Sequence, residues 1–279
     1  MTGWYSSSWK ARSLEYGEGG GFPPPFSYAT KQSGGDKTHW PPDTAARLRP
    51  TKQPVCFTTE RAVCDMIYCM SDIHGELDRF KAMLDLINFS SDDTLYIIGD
   101  VIDRHPGGVE ILKIIKDTPN MFMLLGNHEQ MCLDTLGPNS VYGSRRLWLE
   151  NGGSNTYREL LYVCSLAERS RIIHFLSTLP DHFDVEVGDR KFHLVHAMPS
   201  DDPDDRIWRR PKPDDPPYFE DRIAVVGHTP TCYMSGDMES PFAVWHGNGL
   251  IDIDCGCGNK TELRRLACLR LDDLKEFYI

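Results

Sequence analysis

The chain from residue 66 onward alternates short apolar runs with stretches of helical periodicity. Three runs, at residues 66–71, 94–98 and 121–125, have the length and apolar content of buried β-strands. After the first run, apolar residues recur at spacings of three and four, which predicts a helix beginning just after Gly75. The same periodicity predicts a second helix at about residues 107–116. The pattern indicates parallel strands joined by crossover helices, an α/β core.

Later parts of the pattern indicate a helical cover and a further sheet. Helical spacing dominates residues 129–179, a segment with few candidate ligands, so we expect it to cover the sheet. Apolar runs return at residues 192–195 and 223–226, with a loop rich in Pro and Asp at residues 199–217 between them. Residues 250–279 form short strands separated by turns. Their shortness favours antiparallel pairing and a second sheet packed on the first.

Residues 1–65 have a different character. They contain clusters of Gly and Pro, and their scattered apolar residues cannot form an amphipathic face. We expect a disordered extension here, with a binding arm as the alternative. One compact domain is expected at residues 66–279.

Composition limits the partners and the compartment. The chain has 41 acidic against 30 basic residues and a formal net charge of −11. This argues against a nucleic-acid partner, because such affinity rests on a basic footprint. Nine cysteines without regular spacing favour free thiols in a reducing cytoplasm over a disulfide framework. No run reaches the roughly 18 apolar residues of a membrane span, so we expect no membrane partner. The oligomeric state stays open.

Groups that bind metal ions follow the predicted strands directly. Strand ends meet at one edge of an open α/β sheet, so these groups are expected to lie together. The six donors are Asp72, His74, Asp100, Asn127, His196 and His228. A set of oxygen and nitrogen donors with no thiolate suits Mn, Fe or Zn. Six donors are too many for one ion with an open position, whereas two ions about 3.5–4 Å apart could share a carboxylate. Asp100, in the middle strand, is the candidate bridge.

The same stretch contains candidate catalytic groups. Two ions lower the pKa of a shared water, so that a hydroxide can attack phosphorus in line with the leaving group. His128 follows the ligand Asn127 and is the candidate general acid, with Asp103 to orient it. Arginine forks bind phosphate oxygens well, and the candidates are Arg104 and one arginine of the Trp208-Arg209-Arg210 segment.

The ordered motifs resemble the phosphoprotein phosphatase family of calcineurin-like metallophosphoesterases. The motifs are Asp-x-His-Gly, Gly-Asp-x-x-Asp-Arg, Gly-Asn-His-Glu, a single His after a strand, and Gly-His-Thr, in this order. Within the family, the chain looks most like the compact bacterial and phage serine/threonine phosphatases, from Met66 to Ile279. The resemblance implies a β-sandwich flanked by helices, with a site for two divalent ions, Mn or Fe/Zn, at the strand ends.

The resemblance also implies a role for each site residue. It assigns Asp72, His74 and Asp100 to one ion, and Asp100, Asn127, His196 and His228 to the other. It assigns His128 and Asp103 as the acid pair and Arg104 as a phosphate binder. Asn127 and Arg210 are the further candidate substrate-binding residues. The family's second arginine usually follows a tryptophan with one residue between, which favours Arg210 over Arg209.

The chain departs from the family pattern at three places. Ser71 stands where the family usually has Gly before Asp72, and His105 stands where it usually has Gly after the Asp-Arg pair. The residues after His196, Ala197-Met198-Pro199, are also atypical. These departures affect the loop that carries Arg104 and the loop over the second ion.

Three functions are compatible with these residues. The first is a phosphomonoesterase acting on phosphoserine or phosphothreonine in a phosphoprotein. The second is a hydrolase of small phosphorylated metabolites, including dinucleoside polyphosphates. The third is a non-catalytic binding module, which the complete set of metal and acid positions disfavours.

Overall fold

The computed structural model describes residues 65–279 of the chain. Apart from Asp65, the extension predicted at residues 1–65 lies outside this range. The strands are β1 (Ile67–Met70), β2 (Thr94–Ile97), β3 (Met121–Met123), β4 (His182–Val187), β5 (Arg190–Val195), β6 (Ile223–Val226), β7 (Trp245–His246), β8 (Leu250–Asp252), β9 (Ala267–Arg270) and β10 (Lys275–Tyr278). The α-helices are α1 (Leu77–Leu86), α2 (Gly108–Asp117), α3 (Asn127–Leu136), α4 (Ser144–Glu150), α5 (Ser154–Arg158), α6 (Leu166–Ser177), α7 (Pro203–Trp208) and α8 (Thr231–Ser235).

The predicted parallel core is confirmed. Strands β1, β2 and β3 run parallel, with Ile67 opposite Thr94 and Leu95 opposite Met121. Helices α1 and α2 connect them, close to the predicted positions. The α1 helix forms because Phe80 and Met83 lie on one buried face. The α/β class, with two mixed sheets flanked by helices, is therefore as expected.

The second sheet is built differently from the prediction. Its order is β4-β5-β6-β8-β7, with β5, β6 and β8 parallel to one another. Strands β9 and β10 do not join it. They extend the first sheet, whose order is β10-β9-β1-β2-β3, and β9 pairs antiparallel with β1. This placement pairs the other edge of β1, a strand with apolar residues on both faces, and so removes an exposed sheet edge.

Alternation along β1 places its side chains in two different layers of the interior. Tyr68 and Met70 of β1 face the helices, whereas Cys69 between them faces the second sheet. The layer between the sheets also contains Ile98 and Phe192. Because both faces of this sheet are close-packed, its strand ends are held in place at the site.

The helical cover begins at α3 and ends at α6, with breaks near Gly137 and Gly152 as predicted. Residues 159–163 form a short π-helical segment within it. The loop predicted at residues 199–217 contains a short helix that the prediction missed, α7. Asp202 caps it, because its side chain accepts a hydrogen bond from the backbone N–H of Asp204, and Pro203 occupies the first turn.

Two further findings concern the described residues alone. No helix within residues 65–279 is long and apolar enough to cross a membrane. The seven cysteines in this range are free thiols.

Candidate metal centre

The site lies where the strands of both sheets end, and its backbone is strained. Six non-glycine residues there have left-handed φ angles between 48° and 74°: Asp72, His74, Asp100, Asp103, Arg104 and His228. Each such conformation costs about 1–3 kcal/mol and persists only where surrounding contacts hold it. Six strained residues in one place therefore indicate a functional arrangement.

His74 presents one ring nitrogen to two carboxylates. Its Nδ1 donates a hydrogen bond to the Ile102 carbonyl at 3.1 Å, so Nε2 is the nitrogen left free. That Nε2 lies 3.6 Å from Asp72 Oδ1 and 3.6 Å from Asp100 Oδ2. It is buried and has no hydrogen-bond partner among residues 65–279. A buried polar atom without a partner is costly unless something else satisfies it.

Asn127 and two histidines form the other half of the centre. His196 Nδ1 donates to the Ile98 carbonyl at 2.8 Å, which leaves Nε2 3.0 Å from Asn127 Oδ1 and 3.4 Å from Asp100 Oδ1. His228 Nδ1 also lies 3.0 Å from Asn127 Oδ1. These groups come from three segments far apart in sequence.

The protonation of the histidines suits metal binding. Burial, together with the neighbouring His196 and Arg210, lowers the pKa of His228 to about 3. Burial and the Arg104 charge likewise lower the pKa of His74. Both imidazoles are then neutral near pH 7 and can offer a lone pair.

The donor set fits two divalent ions that share Asp100. Potential ligand atoms of His74, Asp100 and His128 lie within 4.8 Å of one another, as do those of Asp100, His196 and His228. Asp100 is common to both groups. The orphaned Nε2 of His74 adds a specific reason to expect a cation, and the absence of thiolate favours Mn, Fe or Zn over softer ions.

His128 is held against Asp103 at the edge of the centre. His128 Nδ1 lies 2.7 Å from Asp103 Oδ2, while its Nε2 is 3.8 Å from Asp100 Oδ2. Burial lowers the pKa of His128, but Asp100 and Asp103 raise it more, so its net pKa is above the usual value. The helical cover contributes here too, because Trp148 Nε1 donates to the same Asp103 oxygen at 2.7 Å. No sequence pattern indicated this contact.

Glu129 supports the central loop from beneath. Its carboxylate accepts hydrogen bonds from the backbone N–H groups of Asp100, Val101 and Gly126 at 2.9–3.1 Å. It is fully buried, and it fixes the loop that presents Asp100. Glu129 belongs to the Gly-Asn-His-Glu motif, but nothing in that pattern indicated this role.

The arginines flank the centre on two sides. Arg210 Nη1 donates to the His228 carbonyl at 2.7 Å, whereas Arg209 pairs with Asp205 at 3.0 Å. Arg104 is exposed, and its Nη1 donates to Asn259 Oδ1 at 3.2 Å. Arg210 rather than Arg209 therefore lies beside a candidate ligand.

The atypical residues have local partners. His105 Nδ1 lies 3.2 Å from Glu76 Oε1, and its Nε2 lies 3.2 Å from Arg264 Nη1. The Ser71 hydroxyl hydrogen-bonds to Asp72 Oδ2, in space that is open because Gly227 has no side chain to collide with it. In the loop after His196, the backbone N–H of Ala197 donates a hydrogen bond to the Arg206 carbonyl of α7 at 2.8 Å.

Comparison with known proteins points to one family. A family model described as calcineurin-like phosphoesterase matches residues 66–252. A symmetrical bis(5'-nucleosyl)-tetraphosphatase of Wigglesworthia glossinidia brevipalpis is 48% identical over 64 residues, 22% of this chain and 24% of that protein. A serine/threonine-protein phosphatase 2 of Salmonella typhimurium is 31% identical over 140 residues, 50% of this chain and 60% of that protein. The chain thus spans less than two thirds of the length of these relatives.

A solved structure supports the fold. A protein serine/threonine phosphatase from Saccharomyces cerevisiae matches with a TM-score of 0.50 at 13% identity, covering 76% of this chain and 74% of that one. At this identity the likeness concerns the architecture of two packed sheets flanked by helices.

Proposed function

We propose that this chain, which belongs to the calcineurin-like phosphoesterase family, is a dimetal-dependent phosphomonoesterase acting on phosphoserine or phosphothreonine in proteins. Its catalytic domain comprises residues 66–279. Family membership supports the general reaction, which is hydrolysis of a phosphate ester with bound metal ions. The substrate class is our own inference.

One observation carries the proposal. The side chains of His74, His196 and His228, from both sheets, converge on Asp100, and the His128–Asp103 pair lies directly beside them, with 3.8 Å between His128 Nε2 and Asp100 Oδ2. A metal centre alone suits many proteins. A buried imidazole held by a carboxylate next to that centre adds a proton donor, which an ester leaving group requires.

The metal ligands divide around Asp100. Asp72, His74 and Asp100 would hold one ion, and Asp100, Asn127, His196 and His228 the other. When bound, the two ions would supply Lewis acidity and a water of lowered pKa as the nucleophile. Phosphate binding and proton transfer would be carried out by the protein's own side chains.

Phosphate binding and proton transfer follow from the flanking residues. Arg104 and Arg210 provide planar guanidinium forks for the phosphoryl oxygens, with the Asn127 amide as a further contact. His128 donates the proton on Nε2 to the departing alkoxide. Asp103 accepts the hydrogen bond from Nδ1 and stabilises the imidazolium before transfer.

Access to the site is compatible with a protein substrate. Arg104 and Arg210 are both exposed, so the phosphate position can be reached by a residue protruding from a large molecule. The match to the serine/threonine phosphatase of Salmonella typhimurium also extends over 140 residues of this chain. We expect no nucleic-acid partner, and the free thiols fit a reducing cytoplasm.

A second candidate is hydrolysis of dinucleoside polyphosphates. It is favoured by the 48% identity to a bis(5'-nucleosyl)-tetraphosphatase over 64 residues. The same metal centre and arginines could bind an internal phosphate of such a substrate. Exposed phosphate-binding arginines do not distinguish the two classes.

A substrate panel with the Mn-loaded protein tests both candidates. It compares a phosphoserine peptide, p-nitrophenyl phosphate and bis(5'-adenosyl) tetraphosphate, with Asp100→Asn as the inactive control. The proposal expects kcat/KM for the peptide to exceed that for the tetraphosphate by about tenfold or more. Preferential conversion of the tetraphosphate to ADP would establish the second candidate, and no turnover of any substrate would remove both.

A further inference from the structure

We propose that Trp148 is a positioning residue for proton donation, holding Asp103 in the orientation that His128 requires. The inference rests on the proposed role of His128 as the general acid. It gives the helical cover a part in the chemistry, since Trp148 lies on α4, outside every motif of the metal centre.

Two donors converge on one oxygen of Asp103. Trp148 Nε1 and His128 Nδ1 each lie 2.7 Å from Asp103 Oδ2. Asp103 is fully buried, and its Oδ1 has no hydrogen-bond partner in residues 65–279. The side-chain contacts that fix the carboxylate plane are therefore these two. Without the indole, only His128, the residue that transfers the proton, would hydrogen-bond to the carboxylate.

The backbone of Asp103 also needs support. Its φ of 74° is left-handed, an unfavourable conformation for a residue with a side chain. Its N–H donates to Thr156 Oγ1 at 3.0 Å, from helix α5. Helices α4 and α5 thus hold the side chain and the backbone of the same residue.

The indole itself has little freedom to move. Trp148 is fully buried, and Tyr157 packs against it edge-on with 5.8 Å between ring centroids. A side chain at Gly153 would place its Cβ 2.5 Å from Trp148 Cδ1 and Nε1. Gly153 therefore leaves the space that the ring occupies, and the Nε1–H direction is set by packing.

A tryptophan suits this position chemically. The indole N–H only donates, and it does not ionise near neutral pH. It can orient the carboxylate without neutralising it and without competing for the proton that His128 transfers. A lysine or arginine in its place would cancel the charge that stabilises the His128 imidazolium.

Trp148→Phe tests the inference, because it keeps an aromatic ring in the buried pocket and removes the N–H. We expect kcat for phenyl phosphate, whose leaving group needs a proton, to fall by about ten- to a hundredfold. For p-nitrophenyl phosphate, whose leaving group scarcely needs one, the fall should be less than about threefold. Bound Mn and inhibition by inorganic phosphate should not change. Trp245→Phe, at a half-buried tryptophan of the second sheet, is the matched control and should affect neither substrate.

A double-variant comparison separates positioning from packing. In an Asp103→Asn background, Trp148→Phe should cause little further loss of phenyl phosphate turnover, because the group it positions has already changed. Losses that multiply, or equal losses on both substrates from Trp148→Phe alone, would show a packing role and overturn the inference. No loss on phenyl phosphate would overturn it as well.

A spectroscopic readout does not depend on turnover or on the Phe variant folding. In the metal-free protein with native Trp148, the indole ¹H–¹⁵N signal of Trp148 should shift upfield in Asp103→Asn, while that of Trp245 should not. An unchanged Trp148 signal would contradict the contact. A failure of the proposed acid role of His128 can be told apart from a failure of this inference. If His128 is not the acid, His128→Asn should also reduce turnover of phenyl phosphate and p-nitrophenyl phosphate equally. Selectivity in His128→Asn but not in Trp148→Phe would remove only the present inference.

Discussion

The carboxylate of Glu129 accepts a hydrogen bond from the backbone N–H of Asp100 at 2.9 Å, joining helix α3 to the loop that presents the candidate bridging ligand. Asp100 has a left-handed backbone, so this bond stabilises a conformation that its own side chain disfavours. The metal centre therefore depends on a residue that contributes no donor atom to it.

Glu129→Gln should weaken both folding and metal binding. The side-chain NH₂ group of glutamine is a donor and would face backbone N–H groups that need an acceptor. We therefore expect the free energy of unfolding to fall by about 1–3 kcal/mol. Metal affinity should fall by about 10- to 100-fold, as for other residues that orient ligands. Denaturant unfolding and Mn titration measure these changes. Glu150→Gln, at an exposed residue paired with Arg146, is the control and should change stability by less than about 0.5 kcal/mol.

Asp100→Asn should abolish turnover and reduce bound metal below two ions per chain. The carboxylate is common to both ligand groups, and an amide is a weaker, neutral donor. Metal analysis of the purified protein and an assay with p-nitrophenyl phosphate measure the two effects. Asp92→Asn, at an exposed turn, should change neither. Two retained ions with near-normal activity would remove Asp100 from the bridging role.

Saturating Mn should raise the melting temperature of the metal-free protein. A ligand at one hundred times its Kd adds about 2.7 kcal/mol to the free energy of unfolding. For a domain of this size that corresponds to roughly 5–11 °C. Differential scanning calorimetry with and without a chelator measures the shift. His196→Ala should reduce it strongly, and an equal shift in that variant would place the Mn elsewhere.

The two adjacent arginines provide a matched pair. Arg210→Ala should lower kcat/KM by roughly 10- to 150-fold, the loss expected for one charge-assisted contact to phosphate. Arg209→Ala should cost less than about threefold, because its guanidinium pairs with Asp205. Steady-state kinetics with one small ester compares them directly. The reverse ranking would show that Arg209 contacts the substrate.

His105→Gly should change stability more than activity. The imidazole is engaged by Glu76 and Arg264, and restoring the usual small residue should keep kcat/KM within about threefold. Glycine increases the backbone entropy of the unfolded chain, which lowers the free energy of unfolding by about 0.5–1 kcal/mol. The melting temperature should therefore fall by roughly 1–4 °C. A fall in kcat/KM beyond about tenfold would instead make His105 part of the working site.

The amino-acid sequence alone predicted the parallel core and the family resemblance. Both depend on local patterns: short apolar runs predict β1 and β2, helical spacing predicts α1, and a tight turn places a ligand directly after each strand. The candidate donors were readable for the same reason, since each stands within a few residues of a strand end. Such short-range relations depend only on residues that are close together in the sequence.

Only the tertiary structure decided which distant residues meet. Trp148 reaches Asp103 across 45 residues of sequence, and no spacing rule connects a helical cover with an acid pair. The neighbours of Arg209 and Arg210 likewise became clear only when α7 placed one beside Asp205 and the other beside His228. The last strands joined the first sheet because β1 had an unpaired edge, a long-range hydrogen-bonding need that local periodicity does not encode.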